Sequence, residues 1–188
     1  MGCFEPGSRT INQFAVVSYL PDPLAGFLDQ LRLQLTPDSN PHAHVTILPP
    51  RPIPGDTNLS SAIHQLAEGS AACQPFEIRL GAIDIFPVSN VIFAELAIGS
   101  EILHELHATL NSGLVEFSCP FPYHPHITIA QDLQPGQVEA MFQVARNAWA
   151  GYLGPRSFRV DAMSFVQNVA RGIWVDIAKI PLGSPATS

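Results

Sequence analysis

The chain has 188 residues, 46% of them hydrophobic and 13% charged, which supplies one sizeable core and excludes an intrinsically disordered chain. The net charge of −7 comes from 16 acidic and nine basic side chains, and those bases are scattered from Arg9 to Lys179 instead of clustering. Binding to long duplex nucleic acid, which needs a basic stripe, is therefore not expected; a nucleotide substrate would be small, or a chain end held at its terminus.

Gln13 to Tyr19 reads as a first strand, stopped by Pro21 and Pro23. From Leu24 to Leu35 the apolar positions Leu24, Phe27, Leu28, Leu31 and Leu35 recur at helical spacing, with Asp22 placed to cap the start and Pro37 just past the end. His44 to Leu48 reads as a strand. The run Pro49 to Gly55, with prolines at 49, 50, 52 and 54, reads as an extended connector that leaves this strand at once. A second helix is predicted over Leu59 to Cys73, with Thr57, Asn58 and Ser60 as candidate caps. Phe76 to Phe86 and Val91 to Ile98, joined by Pro87-Val88-Ser89-Asn90, predict an antiparallel hairpin. A third helix follows over Glu101 to Leu114, then the proline-stiffened approach Cys119 to Pro125, and a fourth helix over Val138 to Trp149. Two long strands, Phe158 to Val166 and Ile173 to Ile180, close the chain around the turn Ala170-Arg171-Gly172. Residues 1–11 and 183–188 are expected to be loosely ordered ends of a single domain spanning 1–188.

In this order the second half roughly repeats the first, without fully copying its opening strand and helix. The pattern fits an α+β protein of two similar lobes, each an antiparallel sheet with helices on its outer side. A parallel βαβα sheet is the other reading, weakened because no glycine-rich turn follows any strand. The three cysteines, Cys3, Cys73 and Cys119, form an odd set without paired spacing, which favours reduced thiols in a cytoplasm over a disulfide framework. Met1 to Thr10 lacks the apolar core of a signal peptide and no run reaches the length of a membrane span, so no membrane partner is expected.

One four-residue pattern occurs twice, as His44-Val45-Thr46-Ile47 and as His126-Ile127-Thr128-Ile129, 82 residues apart. Alternation with β-branched residues puts histidine and threonine on one face of a strand, about 6 to 7 Å apart, a span that suits a tetrahedral anion such as phosphate. Two histidines facing one cavity supply an acid and a base. Hydrolysis of a cyclic phosphodiester needs a base to take a proton from water and an acid to protonate the departing ribose oxygen, and imidazole suits both near neutral pH. His44 and His126 are the candidates for these roles, in either assignment. Thr46 and Thr128 would donate to the non-bridging oxygens as charge grows there. No metal or other cofactor is required. His42 and His124 do produce His-x-His twice, a spacing that invites zinc, but no carboxylate or cysteine lies at ligand spacing beside them. Arg51 is a candidate to reach a phosphate, and Tyr123, Phe86 and Phe93 to stack on a base. Arg171 precedes Trp174 in a turn, and His104 and His107 are read as a solvated helix flank.

The two motifs, their separation, the order of elements around them and the approach Pro122-Tyr123-His124-Pro125 resemble the 2H phosphoesterase superfamily, which includes 2′-5′ RNA ligase-like proteins and cyclic nucleotide phosphodiesterases. The resemblance covers nearly the whole chain. It implies two antiparallel lobes around a central cleft, one motif on each side, and a pseudo-two-fold axis between them. The family leaves the substrate open, because its members share the cleft but differ in what enters it; the expectation for this chain is a monomeric enzyme that acts on a 2′,3′-cyclic or 2′-5′-linked nucleotide or RNA end. A ligase running the reverse reaction, or a phosphate-binding module without turnover, are the rival expectations.

Overall fold

The structure, a computed structural model, describes residues 11–39, 42–55, 57–170 and 172–183. The expected loose ends therefore lie almost wholly outside the described residues, as does Arg171. In chain order the elements are β1 (Phe14–Tyr19), α1 (Leu24–Leu35), β2 (His44–Arg51), α2 (Leu59–Ser70), β3 (Phe76–Phe86), β4 (Val91–Ile98), α3 (Ser100–Leu110), β5 (Ile127–Ala130), α4 (Val138–Gly151), β6 (Ser157–Val160), β7 (Ala162–Ala170) and β8 (Ile173–Pro181). Short 3₁₀ turns occupy Gly113–Val115 and Pro135–Gln137.

The strands form two four-stranded antiparallel sheets, ordered β2-β1-β7-β8 and β5-β4-β3-β6, in an α+β fold of two lobes. Each motif strand is the first strand of its sheet, and the two edges, β2 and β5, approach one another. Alternation then sorts the side chains. Phe14 and Val16 of β1 join the main core, whereas Ala15 and Val17 pack with Val166 on the opposite face, together with Tyr19 and Trp174.

Helices cover the far side of both sheets. Leu24, Leu28, Leu31 and Leu35 of α1, Leu66 of α2, Leu103 and Leu110 of α3, and Ala145 and Trp149 of α4 belong to one continuous core shared by the two lobes. The helices exchange sheets: α1, which leaves β1, packs on β5, while α3, which leaves β4, packs on β2. Two local bonds place the helix starts. The Asp22 carboxylate accepts from the Gly26 N–H at 3.0 Å, and Asn58 caps α2 by accepting from the Ser60 N–H at 2.9 Å.

Three sequence readings are corrected. The motif strand does not stop at Leu48 but runs through Pro49 and Pro50 to Arg51, which pairs with Phe14. Proline is tolerated there because β2 is an edge strand, with a side that needs no donor. The single strand expected over Phe158 to Val166 is two strands broken at Asp161, β6 in one sheet and β7 in the other, so the chain changes lobe at that point. The opening strand and helix are in fact copied. The unit β1-α1-β2-α2 recurs as β4-α3-β5-α4, and the matching sheet positions of β1 and β4, each beside its motif strand, carry the pseudo-symmetry.

Candidate functional site

In both motif strands the apolar residues are sealed inside, Val45, Ile47, Ile127 and Ile129 each being 0% exposed, while His44, Thr46, His126 and Thr128 are half-buried. Those four residues line a single cleft between the lobes. The register fixes their neighbours: Tyr19 lies opposite His44, Val17 opposite Thr46, and Phe93 opposite Thr128.

Each motif histidine is held in the same way. His126 Nδ1 bonds the backbone carbonyl of His124 at 2.7 Å, and His44 Nδ1 bonds the carbonyl of His42. A carbonyl only accepts, so Nδ1 carries the proton in both rings and Nε2 is the nitrogen that exchanges one. The His-x-His spacing thus reflects a backbone tether two residues upstream. Among the described residues no group of three or more histidine, cysteine, aspartate or glutamate side chains is arranged to hold a metal ion.

Aromatic rings back the imidazoles on both sides. Phe86 and Phe93 stack at 3.9 Å and present their faces edge-on to His126, at 4.9 and 5.4 Å between centroids. Tyr19 meets His44 edge-on at 6.4 Å and donates its hydroxyl proton to Asp176 at 2.7 Å. Burial and the neighbouring Asp176 carboxylate both push the Tyr19 phenol upward, so it remains a donor.

Burial lowers the pKa of His44 below the usual histidine value; the carbonyl bond works against this, and the charge of Arg32, joined by His126 and His42 when they are protonated, lowers it further. His126 is lowered by burial and, more weakly, by His124, again against its carbonyl bond. Each motif histidine therefore resists protonation more than a free imidazole.

Of the residues singled out in the sequence, His44, Thr46, Tyr123, His126 and Thr128 meet at the cleft. Arg51 does not. It is 2% exposed and directed into the interior, where Nε donates to the Pro49 carbonyl at 2.9 Å and Nη1 to the Val115 carbonyl at 2.8 Å and to Asn111. Its place at the end of β2 turns it away from the motif face. Tyr123 reaches the cleft with its ring already stacked on His107 at 3.9 Å and its hydroxyl donating to the Thr46 carbonyl at 2.8 Å. It bridges the approach to one motif and the strand of the other. His107, read as a solvated flank, instead bonds the Ile47 carbonyl through Nδ1 at 2.7 Å. Arg32, Tyr19, Trp174 and Asp176 also line the cleft and were not singled out. Only Arg32 left a signal, a cation on the leucine stripe of α1.

The same architecture occurs in solved structures. Escherichia coli LigT without ligand superposes with a TM-score of 0.62 at 17% identity, over 91% of this chain and 97% of that one. The Thermus thermophilus protein TT0787 gives 0.62 at 21% identity, over 92% and 98%. Among curated sequences, a provisionally named phosphoesterase of Oceanobacillus iheyensis is 32% identical over 80 residues, 42% of this chain and 46% of that protein. The chain spans about half the length of the first curated relatives it matches. The family model of the 2′-5′ RNA ligase superfamily matches residues 20–172, a stretch that takes in both His-x-Thr motifs and every strand from β2 to β7. By that match the chain belongs to the 2′-5′ RNA ligase superfamily of two-histidine phosphoesterases.

Proposed function

We propose that the protein is a metal-independent phosphoesterase that hydrolyses a 2′,3′-cyclic phosphate or a 2′-5′ phosphodiester of a nucleotide or RNA end. The observation that carries this reading is the pair of Nδ1-tethered histidines, one from each lobe, opening onto one cleft with a threonine beside each. One imidazole takes a proton from water as the oxygen attacks phosphorus. The bond to the ribose oxygen breaks in line with that attack, and the other imidazole, protonated at the start, delivers its proton to the departing oxygen, leaving a phosphomonoester. Thr46 and Thr128 donate to the non-bridging oxygens, where charge accumulates. Orientation by the His42 and His124 carbonyls keeps each Nε2 facing the reaction.

Similarity supports a nucleotide in this cleft: E. coli LigT, which shares the fold, has been crystallised with 3′-AMP and with phosphate. The lack of a basic stripe supports a small substrate, met by a protein acting alone in a cytoplasm. The test is turnover of a panel of 2′,3′-cyclic nucleotides and 2′-5′-linked dinucleotides by protein purified without a histidine tag, in the presence of chelator. Conversion to monophosphates or nucleosides is expected. Tight binding of the whole panel with no conversion would replace hydrolysis by recognition alone.

A further inference from the structure

Arg32 stands on α1 at a position where an arginine is out of place. Leu24, Leu28, Leu31 and Leu35 form the buried stripe of this helix, and Arg32, one turn after Leu28, falls among them with only 7% of its surface exposed. A buried guanidinium is costly unless its donors are satisfied. Here Nε is buried without a hydrogen-bond partner, and among the described residues Arg32 forms no ion pair. Asp29, one turn earlier, is the carboxylate whose charge acts on it, yet an oxygen of Asp29 is engaged by the Ala43 N–H at 2.7 Å. That bond fixes the backbone immediately before His44.

The charge balance of the cleft points the same way among the described residues. Among the described residues, Arg32 is the only arginine or lysine lining it, while acidic Asp22, Asp29, Asp38, Asp132 and Asp176 line it too. Threonine hydroxyls and imidazoles that resist protonation offer dipoles to an anionic phosphate, not a full counter-charge. Guanidinium provides that charge in a planar fork matched to phosphate oxygens.

We infer that Arg32 is a substrate-binding residue, the group that receives an oxygen of the substrate phosphate at the His44 side of the cleft and balances its negative charge. This deepens the phosphoesterase reading and rests on the cleft being a phosphate site. An incoming phosphate at the part of the guanidinium that lines the cleft offsets the cost of burying the charge. It also relieves the opposition of Arg32 to protonation of His44, so substrate binding itself readies the acid-base pair.

The experiment is a calorimetric titration of inorganic phosphate into the wild type, Arg32→Gln and Arg32→Lys. Loss of a charged hydrogen bond predicts a dissociation constant about tenfold or more higher in Arg32→Gln, with Arg32→Lys in between. Equal affinity in wild type and Arg32→Gln, or no phosphate binding by the wild type, overturns the inference. Should Arg32→Gln fail to fold, the wild type answers alone. Its Arg32 Nε–H resonance, assigned from the spectrum of Arg32→Lys, must shift with phosphate along the same binding curve, and an unmoved resonance overturns the inference. Because phosphate binding is read without turnover, Arg32-dependent binding in a protein that converts nothing on the nucleotide panel removes hydrolysis and leaves this site standing.

Discussion

The hydroxyls of Thr46 and Thr128 share the cleft face with the two imidazoles because a strand repeats its direction every second residue, and the valine and isoleucines between them are anchored in the core. Thr46→Val and Thr128→Val keep the shape and remove only the donor. Each is expected to lower kcat on a 2′,3′-cyclic nucleotide about a hundredfold with little change in KM, the pattern of a bond that strengthens as charge develops. Steady-state kinetics check this, and wild-type kcat in either variant would remove the threonines from the mechanism. Tyr123 acts at one remove. Burial raises its phenol pKa, so the hydroxyl stays a donor to the Thr46 carbonyl across 77 residues of chain. Tyr123→Phe is expected to cost about 1 kcal/mol in urea unfolding, the net worth of one such bond, and to reduce turnover less than loss of either threonine hydroxyl.

At the scale of elements, the site depends on how strands hand over to helices. Gly99, between β4 and α3, has φ of +93°, and a Cβ there would meet the Glu77 carbonyl at 2.8 Å and the Ile78 side chain at 2.9 Å. Gly99→Ala is expected to destabilise the protein by at least about 1–3 kcal/mol, the cost of the left-handed conformation before the collision is counted. Chemical denaturation measures it, and an unchanged midpoint would contradict the close approach of β3 to Gly99. Much of this level was legible in the sequence. The leucine spacing marked α1 from Leu24 to Leu35, and the β-branched alternation marked both motif strands. What escaped notice depends on tertiary context. Pro49 and Pro50 look like strand breakers until β2 is known to be an edge. Nothing in the alternation through Asp161 shows that β6 and β7 enter different sheets. Arg51 follows the motif closely in sequence, yet the strand carries its side chain inward to Asn111 and Val115. Tyr19 and Asp176, hydrogen-bonded across the ends of the chain, carry no mutual signal, because antiparallel pairing of β1 with β7 and of β7 with β8 is what makes them neighbours.

For the molecule as a whole, the two lobes share one core but keep histidines at their junction whose protonation burial opposes. The pKa values of His44, His107 and His126 are all lowered in the folded protein, by burial first. Unfolding restores them to about 6.5, so below that pH the unfolded chain binds more protons than the folded one. Their stabilising contribution is therefore present above about pH 6.5 and is lost as pH falls toward the folded-state values. The urea midpoint should drop between pH 7.5 and 5.5, and drop less in His44→Gln/His126→Gln; identical pH dependence in both proteins would contradict the burial of these rings.

The proposed hydrolysis requires both imidazoles to act on one phosphorus atom, and the direct measurement is kcat/KM on a 2′,3′-cyclic nucleotide for His44→Ala, His126→Ala and the double variant. Each single substitution is predicted to cost about a hundredfold or more, and the double variant to be little worse than the poorer single one, because an acid and a base of one step fail together. Full turnover by the double variant, or by either single one, would contradict the account.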